Sequence, residues 1–283
     1  MLSLFRKPKA TIEVELGEGP IYPGGTLEAN LTIEAKDKLL VQQGTVQLLC
    51  EDRFWQADIS SSGGNANVKH SATLWDVPHS FLNDESIGEG SSNHLVSFVI
   101  PASASSSVHG EVASITWRIR VTLVVLKSRN VIHEKDFAVL TAPRSEDTAP
   151  SNENRSGEDF EQCSITLSAN QHQVSTEGEI TGKLEVQVHQ GFSPSEIRVA
   201  LERIERAGSS GKEVTSSKDI LQGSSRLEGG GSSEWEYRLE VPDELVPTRA
   251  GSGPTTVRWR VRGIVARGRQ GNLAVEIPVE VST

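Results

Sequence analysis

The sequence predicts an all-β protein made of two tandem β-sandwich domains. Three observations predict it. Nearly every periodic segment alternates with period two, the signature of strands with one face buried and one face wet. Gly, Pro, Ser and Asn separate these segments, which are rich in β-branched residues and Trp. The pattern also occurs twice along 283 residues, a length that suits two domains better than one.

The first copy opens with Thr11-Ile12-Glu13-Val14-Glu15-Leu16, followed by the turn Tyr22-Pro23-Gly24-Gly25 and the alternating run Leu27–Ile33. The second opens with Cys163-Ser164-Ile165-Thr166-Leu167, followed by Ser175-Thr176-Glu177-Gly178 and a run from Ile180. The next strands, from Val46 and from Val199, keep the same offset of 153 residues. Later, Phe98-Val99-Ile100-Pro101 matches Leu239-Glu240-Val241-Pro242. Trp117-Arg118-Ile119-Arg120 then matches Trp259-Arg260-Val261-Arg262 at an offset of 142. Each copy closes on one more strand, Asp136–Leu140 and Leu273–Val281. A period this long points to duplication of a whole domain rather than a solenoid.

Six to eight strands per copy fit two antiparallel sheets packed face to face. Helix is expected only in short pieces such as Ser80–Glu85. Ser60–Lys69, Ser80–Asn93 and Leu221–Ser233 read as long polar loops, either solvent-exposed hairpin ends or binding loops. The domains are placed at 1–145 and 161–283. Between them, 146–160 reads as a polar linker with a net charge of −4 out of the chain total of −10.

Composition narrows the function. The chain has 28 Lys and Arg against 38 Asp and Glu, so no basic nucleic-acid footprint is expected. No apolar run is long enough for a transmembrane segment. The opening MLSLFRKPKA is too short and broken for a secretion signal, so a cytoplasmic location is expected. Residues 1–9, with Leu2, Leu4, Phe5, Arg6, Lys7 and Lys9, leave peripheral membrane contact open; a frayed terminus is the plainer reading. Cys50 and Cys163 lie in strand patterns and read as two buried thiols, with one disulfide as the alternative.

Motifs for chemistry are missing. The seven histidines form no HxH or HExxH spacing. His70, His79 and Asp84 flank one segment, but no spacing makes them metal ligands. A Ser-His-Asp triad is not excluded by counting, yet no GxSxG elbow is present. The glycine clusters at Gly63-Gly64 and Gly229–Gly231 are not followed by GK[ST]. Gly110, after His109, is expected to supply a special backbone shape. No catalytic residue, cofactor or metal is assigned.

These residues resemble the arrestin-like family in the broad sense that includes the retromer cargo subunit and the bacterial sporulation-control proteins. Three features carry the resemblance: the Tyr22–Thr26 turn between strands, the Phe98–Pro101 strand with His109-Gly110-Glu111 and Ile115–Ile119 after it, and the same order repeated at Leu239–Pro242 and Thr255–Val261. The resemblance spans about 10–145 and 160–281. It implies immunoglobulin-like, arrestin-like sandwiches without a catalytic centre, acting as an adaptor or regulator through protein surfaces, with bacterial sporulation or stress regulation as one setting. The polar core and regulatory tail of animal arrestins have no counterpart in the sequence, so receptor-style activation is not carried over.

The best local candidates for binding are two basic strand faces: Arg118 and Arg120 in the first copy, and Arg258, Arg260 and Arg262 in the second, each opposite a buried row. They read as an anionic docking surface or as a polar face paired with acidic neighbours. The partner expected is a protein, with a homodimer through sheet-edge pairing as a further possibility. The competing classes are an envelope or surface module binding a glycan or protein, and an enzyme with an interdomain site.

Overall fold

The computed structural model describes residues 8–59, 65–141, 154–175, 178–243, 245–250 and 253–282. Among them a 3-10 turn lies at Gly268–Gln270, no α-helix occurs, and nearly all of the regular structure is strand. The chain forms two compact units. Unit 1 comprises the described residues of Met1–Arg53, Lys69–His109 and Ser114–Ala142, and unit 2 those of Phe54–Val68, Gly110–Ala113 and Pro143–Thr283.

Unit 1 draws on strands β1 (Ala10–Leu16), β2 (Thr26–Ala35), β3 (Leu39–Ile59), β4 (Asn65–Ile87), β5 (Gly90–Val99), β6 (Val108–His109), β7 (Ser114–Val125) and β8 (Val131–Phe137). One sheet runs β1-β2-β5; the other runs β4-β3-β7-β6, with β8 also paired to β7. The turn before β2 closes by the Gly25 amide donating to Tyr22 O at 3.0 Å, and Gly24 takes a φ of 82° there. A side chain at Gly24 would be strained in that conformation, which explains the Pro-Gly-Gly run. Leu27, Ala29, Leu31 and Ile33 of β2 are buried, as are Ile115, Trp117, Ile119, Val121 and Leu123 of β7. These are the apolar positions of the two alternating runs, so the period-two pattern specifies which face is buried.

Unit 2 contains β9 (Arg155–Asp159), β10 (Cys163–Ala169), β11 (Gln173–Val174), β12 (Glu179–Val188), β13 (Glu196–Ala207), β14 (Ser210–Gln222), β15 (Ser232–Glu240), β16 (Thr255–Ala266) and β17 (Asn272–Val281). Its sheets run β15-β12-β10-β9 and β11-β17-β16-β13-β14. All these pairings are antiparallel except the short β11–β17 pair. The sheets meet closely at Gly263, where a Cβ would lie 2.6 Å from Leu184 Cδ1 of the opposite sheet. Glycine is needed there for close approach rather than for its φ.

The two units share a ladder order. The β1-β2-β5 sequence has its counterpart in β10-β12-β15, and β4-β3-β7-β8 in β14-β13-β16-β17. Trp117 donates its indole N–H to Ser105 O at 2.9 Å, and Trp259 donates to Val246 O at 2.8 Å. Both rings are buried, so each meets its one polar obligation inside its own core.

Three expectations change. Ser80–Glu85 is not helical; it belongs to β4, where Leu82 is buried against Gly44 of the neighbouring strand. Packing against β3 outweighs the local helix tendency, and Asp84 breaks the regular path with a φ of 48°. The polar loop expected over Ser80–Asn93 is therefore only a short connection between β4 and β5, turned at Gly90 with a φ of 110°. The last part of the expected linker 146–160 is strand β9, whose backbone pairs with β10 although its side chains are nearly all polar. Of the other expectations, 60–64 of the Ser60–Lys69 loop, 1–7 of the basic-apolar N-terminus and 146–153 of the linker lie outside the described residues, and 65–69 of that loop are strand, the start of β4. Lys9, the one described residue of the N-terminal basic group, pairs with Asp37 at 3.3 Å. In the third predicted loop, β14 ends at Gln222 and β15 begins at Ser232.

Candidate functional site

The five arginines singled out by the alternation all point outward from the middle of a sheet, because Trp117 and Trp259 beside them point inward. In unit 1, Arg118 lies opposite Asp136 and Arg120 opposite Glu134 in the β7–β8 ladder. Arg118 Nε donates to Asp136 at 2.6 Å and its Nη1 lies 2.9 Å from Glu134, which also accepts from Arg120 Nε at 2.6 Å. The hydrogen bond from Arg118 holds the Asp136 carboxyl below the ordinary aspartate range, against the opposing effect of burial.

In unit 2, Arg260 is the centre of a larger cluster. It donates to Glu202 at 2.9 Å, to Glu213 at 2.8 Å and to Glu276 at 2.7 Å. Arg262 lies 3.6 Å from Glu202 and 3.7 Å from Glu213. Glu202 is nearly buried, so removing its arginines would strand a charge that water cannot reach. Burial works against the Arg260 charge, but Glu202, Glu276 and Glu213 outweigh it and raise its pKa. Arg258 differs: it is exposed, and among the described residues it has no carboxylate within ion-pairing distance.

Arg258 stands at the rim of a groove of about 790 Å³ on unit 2. Ile204 and Pro278 provide apolar surface, while Arg258, Arg260, Glu276 and Glu280 provide charge. The ladder accounts for this grouping, since Ile204 pairs with Arg258 and Pro278 with Arg260. The short parallel strand β11 brings His172 and Gln173 to the same groove beside β17. Such a surface can hold an extended segment with an aliphatic side chain over Ile204 and a carboxylate on Arg258.

Two features escaped the sequence reading. The first lies within unit 2, at Glu205. Its carboxylate is fully buried and accepts the amides of Val112 at 2.8 Å and Ala113 at 3.0 Å. Arg203 Nε lies 2.7 Å away and its guanidinium sits 5.6 Å over the Trp259 ring. Burial pushes the Glu205 pKa up, but the amides of Val112, Ala113 and Glu111, with Arg203, more than compensate and hold it below the usual glutamate value. Gly110 is required here for space: a Cβ would fall 2.3 Å from the Glu205 carboxylate, and φ at Gly110 is not positive. The repeat did contain a signal. The offset of 153 maps Asp52 onto Glu205, and both are fully buried.

The second is Ser164–His189–Asp159. Ser164 Oγ lies 2.8 Å from His189 Nε2 and donates to Asp159, while Asp159 Oδ1 is 3.4 Å from the same Nε2. A nucleophilic relay needs the acid on the other ring nitrogen, where it would orient the imidazole and stabilise its charge. Here hydroxyl and acid share one nitrogen on an exposed surface, so the group does not form that relay. Cys50 and Cys163 are both buried thiols outside any disulfide, and burial pushes the Cys163 thiol up to about 11, away from a nucleophilic thiolate. His79 meets Phe98 edge-on at 6.3 Å, and among the described residues no three metal-ligating side chains come together. No helix among the described residues is long and apolar enough to cross a membrane.

No protein-family model matches this chain. No curated protein sequence matches it significantly.

Proposed function

We propose that the chain is a non-enzymatic adaptor or regulatory protein of the arrestin-like kind, working through protein contacts of its two β-sandwich units. The observation that carries this reading is the Arg258 groove. Four of the five outward arginines are committed to carboxylates of their own sheet. Arg258 alone offers its charge outward, beside the apolar surface of Ile204 and Pro278. The matching ladder order of the two units also supports a duplicated, arrestin-like architecture. The partner this groove suits is an extended protein segment carrying an acidic residue next to an aliphatic one.

The test is a quantitative pull-down from native host extract with the wild-type protein, Arg258→Glu, and Lys218→Glu as an exposed control. Arg258→Glu leaves the Arg260 cluster intact, which a triple reversal including Arg260 and Arg262 would not. The expected result is at least a tenfold loss, about 1.4 kcal/mol or more, of a specific partner with Arg258→Glu and none with Lys218→Glu. Equal recovery of every partner by all three proteins would overturn the reading.

A further inference from the structure

Strand β5 is the edge of the β1-β2-β5 sheet, and among the described residues no strand pairs with its outer side. The direction of its backbone groups follows from two bonds. The Ile100 amide donates to Gly25 O at 2.9 Å, and the Gly17 amide donates to Glu28 O at 2.9 Å on the other side of β2. Alternation along an antiparallel ladder then directs the N–H and C=O groups of Val96 and Phe98 toward β2. Those of Asn93, Leu95, Ser97 and Val99 point away from the sheet. The outward-facing side chains of this row include Leu95 and Val99, which are 74% and 69% exposed.

Edge strands are normally protected by charge, proline or a covering segment. Strand β5, GSSNHLVSFV, carries neither Asp, Glu, Lys or Arg nor proline. Its counterpart β15 carries Glu234, Glu236, Arg238 and Glu240, and the Arg238 amide is capped by Asp219 Oδ2 at 3.0 Å. Every other edge strand longer than two residues also bears Asp, Glu, Lys or Arg. In a chain of net charge −10, β5 is, among the described edge strands longer than two residues, the one that would oppose no like charges if it paired with its own copy.

We infer that β5 is a homodimerisation strand, pairing antiparallel with β5 of a second copy about a two-fold axis through Ser97. This register sets Leu95 opposite Val99 of the second copy, and Val99 opposite its Leu95. Both exposed apolar side chains of each chain are then covered, on one face, by cross-strand apolar partners. A register shift of two residues in either direction opposes both of them to residues outside this pair. The two three-stranded sheets become one six-stranded sheet, and the outward amides of β5 gain partners. The edge belongs to unit 1 and uses none of the groove's residues.

The test begins with sedimentation of the wild-type chain at tens of micromolar, where an interface of standard size is populated. The expected species has twice the 30.7 kDa chain mass. Leu95→Lys, at an exposed position that the fold tolerates, is expected to return it to a single-chain mass, because a charged side chain then faces Val99 of the second copy in place of an apolar one. Ser97→Pro, which removes an outward amide, is expected to do the same. Register is read by oxidation. Ser97→Cys brings two thiols together at a Cα separation of about 5.5 Å, within disulfide range, and is expected to cross-link. Asn93→Cys holds its two thiols about 27 Å apart and is expected not to. The native cysteines are buried and do not compete. A single-chain mass for the wild type, or equal cross-linking of the Ser97 and Asn93 variants, would overturn the inference. A dimer that survives Leu95→Lys would overturn it as well.

Discussion

Strands β5 and β15 occupy the same place in their sheets, yet they treat their free edges in opposite ways. Strand β15 alternates charge along its length, and one of its outward amides is occupied by Asp219. Strand β5 leaves its edge neutral, with Leu95 and Val99 in water. The same contrast runs through the neighbouring sheets. Outward arginines in unit 1 pair with exposed acids directly across one ladder. In unit 2 they hold a nearly buried Glu202, and fully buried Glu205 lies three residues along the same strand. One ladder order can therefore carry two different surfaces, because pairing order depends on the buried face and the outward row is free to vary.

The largest expected effect probes the buried chemistry of unit 2. Glu205→Ala leaves two amides without their acceptor and Arg203 without its nearest carboxylate, and is expected to cost about 3 to 5 kcal/mol in denaturant unfolding. The pH dependence has a definite sign. The folded pKa of Glu205 lies below its unfolded value of about 4.3, so its contribution is complete above that pH and is lost as pH falls through the folded value. The gap between wild type and Glu205→Ala should therefore narrow on acidification; a gap that widens would contradict this account.

The next effect tests how alike the two cores are. Trp117→Phe removes one buried indole hydrogen bond and is expected to cost about 1 kcal/mol. Trp259→Phe removes the equivalent bond and weakens the contact with Arg203, so roughly 2 kcal/mol is expected. Equal losses would show that the Arg203 contact adds nothing.

Smaller changes are expected at the edges. Asp219→Ala uncovers the Arg238 amide and should cost about 1 kcal/mol or less in thermal unfolding, without inducing self-association, since the charges of β15 remain. Leu95→Lys should change monomer stability by no more than about 0.5 kcal/mol, measured at high dilution. A large loss there would mean that Leu95 supports the fold of unit 1.

Much of this architecture could be read from the sequence because strand burial has a period of two. Leu27–Ile33 and Trp117–Leu123 display their buried rows directly, and the duplicated order of runs anticipates the matching ladders. Ser80–Glu85 was misread because its local pattern is short and Leu82 finds its place only against Gly44. Strand β9 was hidden because its polar side chains carry no alternation; backbone pairing with Ile165 and Leu167 of β10 makes it a strand. The outward arginines were visible, but their carboxylates were not, since partners such as Glu202 and Arg260 are 58 residues apart.

By itself, the sequence determined the all-β class, the buried rows and the arginines that face outward, since each follows from alternation between adjacent residues. Tertiary structure decided which charges are consumed and which edge stays open. Register brings Glu202 to Arg260 and, among the described residues, leaves Arg258 without an ion-paired carboxylate, and strand order places β5 at a margin. These outcomes depend on contacts between distant segments, whose geometry is set by packing and ladder pairing rather than by local preference.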